Sequence, residues 1–130
     1  MTQTVGIVLV SHSRELAAGL QHLLSQMGSG EVTVAVAAGT AGGGIGTDDG
    51  LVREAIATAA SETGVVILPD LGSSVLTAKN ILQEDPQPKI RMVDAPFVEG
   101  AVAATITAAS GASLDEVVAA AEEARNVAKF

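Results

Sequence analysis

The hydrophobic positions fall into two kinds of run that alternate along the chain. Val5, Ile7, Val8, Leu9 and Val10 form a β-branched stretch of strand length with no polar alternation. Such a run suits a strand buried on both faces, as in a parallel sheet covered by helices. It stops at Ser11-His12-Ser13. Leu16, Leu20, Leu23, Leu24 and Met27 then recur at helical spacing, predicting a helix over about 14–27 with that stripe inward, closed by Gly28, Ser29 and Gly30. The same unit repeats. Residues 32–37, VTVAVA, read as a second strand. A glycine-rich stretch follows, and then a helix capped by Thr47 or Asp48, with Leu51, Val52, Ala55, Ile56 and Ala59 on one face. VVILPD at 65–70 reads as the third strand, with Pro69 marking where pairing stops. A helix over about 74–84 carries Val75, Ala78, Ile81 and Leu82. IRMVD at 90–94 makes a shorter fourth strand, and a helix over 97–109 opens near Pro96. Ser113 and Glu116 fit a capping box for a last helix, whose stripe is Leu114, Val117, Val118, Ala121 and Ala128.

The order βαβαβαβαα predicts a three-layer α/β/α fold with a central parallel sheet of four strands. The expected strand order is 2-1-3-4, in a single domain spanning residues 1–130. The switch point then lies between the first and third strands, and the carboxyl edge there is where open sheets bind ligands. Ser11-His12-Ser13, the loop from Gly39 to Asp49 and Asp70-Leu71-Gly72-Ser73-Ser74 converge on that crevice.

Composition narrows the chemistry. Fifteen acidic residues against seven basic ones give a net charge of −8, which repels phosphate backbones and anionic bilayers, so nucleic-acid and membrane partners are not expected. With no cysteine, thiol chemistry and disulfides are excluded. The start of the chain lacks a basic segment ahead of its apolar run, and no stretch approaches membrane-spanning length, so a cytoplasmic protein is expected. Aspartates 48, 49 and 70 do not make a convincing metal cluster, and no metal is expected. GTAGGGIGT departs from both dinucleotide and P-loop spacings, and no GxSxG elbow is present.

His12 is the strongest candidate for chemistry. Its imidazole, neutral near physiological pH when unperturbed, can attack phosphorus and carry a phosphoryl group. The opposing reading is a polar turn histidine with no chemistry. The helix start after His12 offers free amides and a positive dipole end to an anion. Asp70 can accept a hydrogen bond from one ring nitrogen, fixing the tautomer and stabilising the charge formed on transfer; Nε2 is the favoured reacting atom. Hydroxyls of Ser11, Ser13, Thr40, Thr47, Ser73 and Ser74, and backbone amides at Gly39 and Gly72, are expected to bind phosphate or a partner. His22 lies opposite the helix stripe and is expected to be exposed and inert. A receiver-type phosphoaspartate at Asp70 lacks the acidic pair that such a site needs after the first strand.

The segments VSHS at 10–13, AAG at 37–39, IGTD at 45–48, DLGSS at 70–74 and APFVEGAVAA at 95–104 resemble the mannose-type IIA family of the phosphoenolpyruvate-dependent phosphotransferase system. Within it they resemble the DhaM subunits of bacterial dihydroxyacetone kinase. The resemblance spans nearly the whole chain in order, although the loop over 39–47 is richer in glycine than the family pattern. It implies a phosphotransferase in which His12 is phosphorylated by HPr and steadied by Asp70. The phosphoryl group would pass to ADP on the DhaL subunit, which acts with DhaK on dihydroxyacetone. It also implies a homodimer, with the Ala-rich helix near 97–109 as a candidate surface, and no cofactor beyond the covalent phosphate on His12. Ending at Phe130, the chain resembles the single-domain form. Two alternatives stand beside this reading: a IIA component of a mannose-type sugar transporter, and a non-catalytic binding module of the same fold.

Overall fold

A computed structural model of the chain describes residues 3–28 and 30–130; Ser29, placed by the sequence in the helix-ending run, lies outside the described residues. The elements alternate as β1 Gly6–Ser11, α1 Arg14–Ser25, β2 Val34–Ala38, α2 Asp49–Ala59, β3 Val65–Pro69, α3 Gly72–Glu84, β4 Ile90–Met92, α4 Phe97–Ala109 and α5 Leu114–Glu123, ending in a short 3-10 turn over Ala124–Asn126. The four strands are all parallel, in the order β2-β1-β3-β4. This is the predicted three-layer arrangement.

The unbroken apolar run in β1 has a direct cause. Alternate residues point to opposite faces of a strand, and both faces here are covered. Ile7 and Leu9 pack with α1, α4 and α5 through Leu20, Leu24, Ala104 and Val117. Val8 and Val10 pack with α2 and α3 through Val52, Ile56, Ala78 and Ile81. Small alanines on α4, Ala101, Ala104 and Ala108, are fully buried against the sheet, so a core with almost no aromatic residues closes by bringing backbones near one another.

Some edges move. β4 stops at Met92, short of the predicted 94, and α3 begins two residues early, at Gly72. Pro69 still pairs, with Val10 as its neighbour in β1. The missing N–H of Pro69 faces the β4 side, where that strand has already ended; the Asp70 amide faces β1 and donates to the Val10 carbonyl at 2.9 Å. The clearest correction concerns α1. Its buried face is Ala17, Leu20 and Leu24, while Leu16, Leu23 and Met27 are 46%, 38% and 45% exposed. An alanine, invisible to a count of large apolar residues, sets the inward direction, and the stripe rotates accordingly. At the far end, Ala128 is exposed, beyond the last helix.

Candidate functional site

Two adjacent parallel strands that end level with one another build the site. Ser11 closes β1 and is fully buried; His12 is the next residue, and α1 starts two positions later. Asp70 follows directly on β3. The register that pairs Val10 with Pro69 therefore sets Asp70 beside Ser11 and His12. Five donors converge on its carboxylate. Ser11 Oγ at 2.9 Å and the His12 backbone N–H at 3.0 Å reach Oδ2. His12 Nδ1 at 2.9 Å, Ser74 Oγ at 2.8 Å and the Leu71 N–H at 2.7 Å reach Oδ1. Burial alone would raise the Asp70 pKa. The bonds from the His12 backbone, Ser74, the His12 ring and Ser11 outweigh it and hold the carboxyl at about 2.

An ionised carboxylate only accepts, so the ring hydrogen of neutral His12 sits on Nδ1, and Nε2 keeps its lone pair. Ser74 Oγ also lies 3.2 Å from Nδ1. Its own hydrogen is donated to Asp70, so toward the ring it can only accept. On the other side of the imidazole, Ser73 Oγ lies 2.6 Å from Nε2. The His12 side chain is 21% exposed, enough for an edge of the ring to face solvent.

The helix end beside Nε2 is that of α3. Its N-cap, Leu71, supplies no side-chain bond to the first turn, so the leading amides at Gly72 and Ser73 stand uncapped near the ring. The start of α1, where the sequence suggested an anion site, carries a side-chain cap that α3 lacks: Ser13 is its N-cap and accepts from the Leu16 N–H. Ser13 Oγ points to Glu15 and Ser11 Oγ to Asp70, so neither hydroxyl meets the Nε2 edge.

The glycine-rich loop likewise differs from the expected cradle. The Gly39 N–H donates to the Ser11 carbonyl at 3.0 Å, Gly43 to Thr40 O at 2.9 Å, and Gly46 to the His12 carbonyl at 3.1 Å. Thr40 Oγ1 accepts from the Gly44 N–H, and the Thr40 carbonyl accepts from Arg14 Nη2 at 3.0 Å. These amides are spent within the loop or on the strand end. Gly39 and Gly46 have φ of 71° and 142°, a backbone region open to glycine, and that geometry turns the loop back onto His12. Thr47, at the loop's end, reaches across the crevice to Ser73 Oγ at 3.3 Å and Thr77 Oγ1 at 3.1 Å.

Two participants were not singled out from sequence. Thr77 lies one helical turn after Ser73, and that i, i+4 spacing was a readable signal. Arg14 braces the loop from α1, and nothing in its local pattern marks it. His22 is exposed on α1. Among the described residues, no group of three or more His, Asp or Glu side chains is placed to hold a metal ion, and no helix is long and apolar enough to cross a membrane.

The chain is similar to known proteins over most of its length. A family model, EIIA-man, described as PTS system fructose IIA component, matches residues 6–118. The chain belongs to this family. It is similar to the phosphoryl donor subunit DhaM of the PEP-dependent dihydroxyacetone kinase of Escherichia coli K12, 42% identical over 120 residues, covering 88% of this chain and 25% of that protein. The corresponding Providencia stuartii subunit is 37% identical over 126 residues, covering 92% of this chain and 26% of that protein. The chain thus spans about a quarter of the length of these two relatives. A shorter relative, the DhaM subunit of dihydroxyacetone kinase 2 of Listeria innocua, is 35% identical over 105 residues, covering 78% of this chain and 84% of that protein. The crystal structure of the unknown function protein EF1359 superposes with a TM-score of 0.81 at 37% identity, covering 98% of both chains.

Proposed function

We propose that this EIIA-man family chain is a phosphohistidine relay. His12 takes a phosphoryl group from a phosphocarrier protein of the HPr type. It then passes the group to ADP held on a DhaL-type subunit, which acts with a DhaK-type subunit to phosphorylate dihydroxyacetone. The observation that carries this reading is the imidazole held at Nδ1 by an ionised carboxylate, with Nε2 turned to an uncapped helix start. In the transfer, the Nε2 lone pair forms the new N–P bond. The donor's own N–P bond breaks and its electron pair returns to the donor ring. His12 keeps its Nδ1 hydrogen throughout, and Asp70 stabilises the imidazolium charge that develops. The amides of Gly72 and Ser73 and the positive end of α3 favour the incoming dianion. The similarity to phosphoryl donor subunits named DhaM favours the nucleotide-bound acceptor over a sugar-transporter IIB protein.

The decisive experiment is incubation with labelled phosphoenolpyruvate, enzyme I and HPr. The expected product is an acid-labile, base-stable phosphoprotein, lost in His12→Ala and kept in His22→Ala. Retention of label in His12→Ala, or none in the wild type, refutes the reading. Chasing the label with DhaL–ADP in one reaction and a mannose-type IIB protein in another then decides the acceptor. The homodimer is proposed on the α4 face, where Val98 and Ile106 are 41% and 49% exposed. Sedimentation of the wild type against Ile106→Glu tests it.

A further inference from the structure

Resting on the relay reading, we infer that Thr47 and Thr77 are positioning residues that fix the Ser73 hydroxyl on the reacting nitrogen of His12. Four side chains from three segments form a continuous line: Nε2 to Ser73 Oγ at 2.6 Å, Ser73 Oγ to Thr47 Oγ1 at 3.3 Å, and Thr47 Oγ1 to Thr77 Oγ1 at 3.1 Å. A hydroxyl has one hydrogen to give, so the direction of the whole line follows from its anchored end. Ionised Asp70 places the ring hydrogen on Nδ1. Bare Nε2 can then only accept, so Ser73 must donate to it. Ser73, its hydrogen used, accepts from Thr47, and Thr47 in turn accepts from Thr77. The Ser73 carbonyl, 3.5 Å from Thr47 Oγ1, is the more distant alternative acceptor. Each donated bond polarises the next and strengthens it.

The arrangement does two things for the transfer. Before it, the Ser73 hydroxyl covers the lone pair and holds the ring plane toward the crevice. As the N–P bond forms, Nε2 stops accepting, and the same hydroxyl turns its hydrogen to a phosphoryl oxygen while Thr47 keeps its oxygen in place. No proton changes its heavy atom, so charge and atom balance remain those of the phosphoryl exchange alone. Thr47, on the glycine-rich loop, thereby ties the braced loop to the nucleophile.

The test is nitrogen-15 NMR of the His12 ring in the unphosphorylated full chain, together with the rate at which phosphoramidate, a small donor with no docking surface, phosphorylates it. Ser73→Ala is expected to move the Nε2 resonance toward that of an unbonded lone pair. Thr47→Val and Thr77→Val should move it part of the way in the same direction, slow phosphorylation about threefold to tenfold, and leave the Nδ1 signal in place. Thr47→Ser, which restores the hydroxyl, should return both readings to wild type. An Nε2 resonance unmoved by Thr47→Val while Ser73→Ala shifts it overturns the proposal, as does failure of Thr47→Ser to rescue. The ring measurement needs no phosphorylation, so an inert His12 would defeat the relay reading separately.

Discussion

Two loops border His12, and they hold it in different ways. The turn over 70–74 grips the side chain, with Asp70 and Ser74 at Nδ1 and Ser73 at Nε2. The glycine-rich loop over 39–47 grips the backbone, through the Gly46 N–H on the His12 carbonyl, and meets the chemistry only through Thr47. By sequence the second loop looks the better anion cradle, because it holds five glycines against one in the turn over 70–74. In the fold the amides of Gly39, Thr40, Gly43, Gly44 and Gly46 are spent within the loop or on the end of β1 and His12, and the helix start without a side-chain cap beside Nε2 belongs to the shorter loop. Glycine content reports what a backbone can do, while hydrogen-bond accounting decides what is left over for a ligand.

The sharpest way to break the contrast is Asp70→Asn. Five donors point at this carboxylate, and an amide in its place turns its own N–H groups toward some of them. The Nδ1 hydrogen loses its anchor, the other tautomer becomes available, and phosphorylation of His12 should fall by on the order of 100-fold or more. Loss of satisfied partners should cost about 1–3 kcal/mol of stability, measured by urea unfolding. Near-normal labelling of this variant would show that the turn over 70–74 does not orient the ring. A second, smaller effect separates charge from shape. The folded-state pKa of Asp70 is lowered from 3.8 to about 2. Its contribution to stability is therefore complete above about pH 4 and is lost as the pH falls toward 2. The difference in stability between the wild type and Asp70→Asn should stay level from neutrality to about pH 4 and shrink below it. A difference that does not depend on pH would mean that the neighbours of Asp70 do not lower its pKa on folding.

Much of this was legible beforehand, and the reasons are physical. Continuous β-branched runs bounded by turn residues can satisfy a parallel sheet and little else, so the strand order and the meeting of His12 with Asp70 followed from topology. Helix direction was harder to read. The inward face of α1 turns on Ala17, a residue that adds little to any hydrophobic pattern yet is fully buried because the sheet lies close. The roles of Ser11 and Ser13 were hidden for another reason. Both hydroxyls are near the histidine in sequence, but one is spent on Asp70 and the other on the first turn of α1. Thr77 carried a readable signal in its i, i+4 spacing from Ser73, but a helix expected over about 74–84 left Ser73 outside it, and the start of α3 at Gly72 is what puts the two on one helical face.

The loop's role as a brace can be sharpened by a pair of glycines. Gly46 has φ of 142°, and a Cβ built there would lie 2.9 Å from Thr40 Cγ2. Gly46→Ala should therefore lower stability by about 1–2 kcal/mol and release the His12 carbonyl. A Cβ on Gly42 meets nothing within 4 Å, and its φ is not among the positive ones. Gly42→Ala should be neutral or stabilising by up to about 1 kcal/mol, through the unfolded chain. Equal losses from the two substitutions, in parallel urea titrations, would mean that the loop is held by its surroundings and not by its own turns.

Arg14→Ala is the gentlest probe of the same contrast. The guanidinium is exposed and makes one bond, to the Thr40 carbonyl, so its removal should cost only about 0.5 kcal/mol. Its effect belongs in the loop: amide hydrogen exchange at Gly43 and Gly44 should quicken several-fold, while the His12 ring signals stay where they are. If the ring signals move as far as the loop amides do, the brace and the chemistry form one cooperative unit, and the division between a loop that holds the backbone and a turn that holds the imidazole fails.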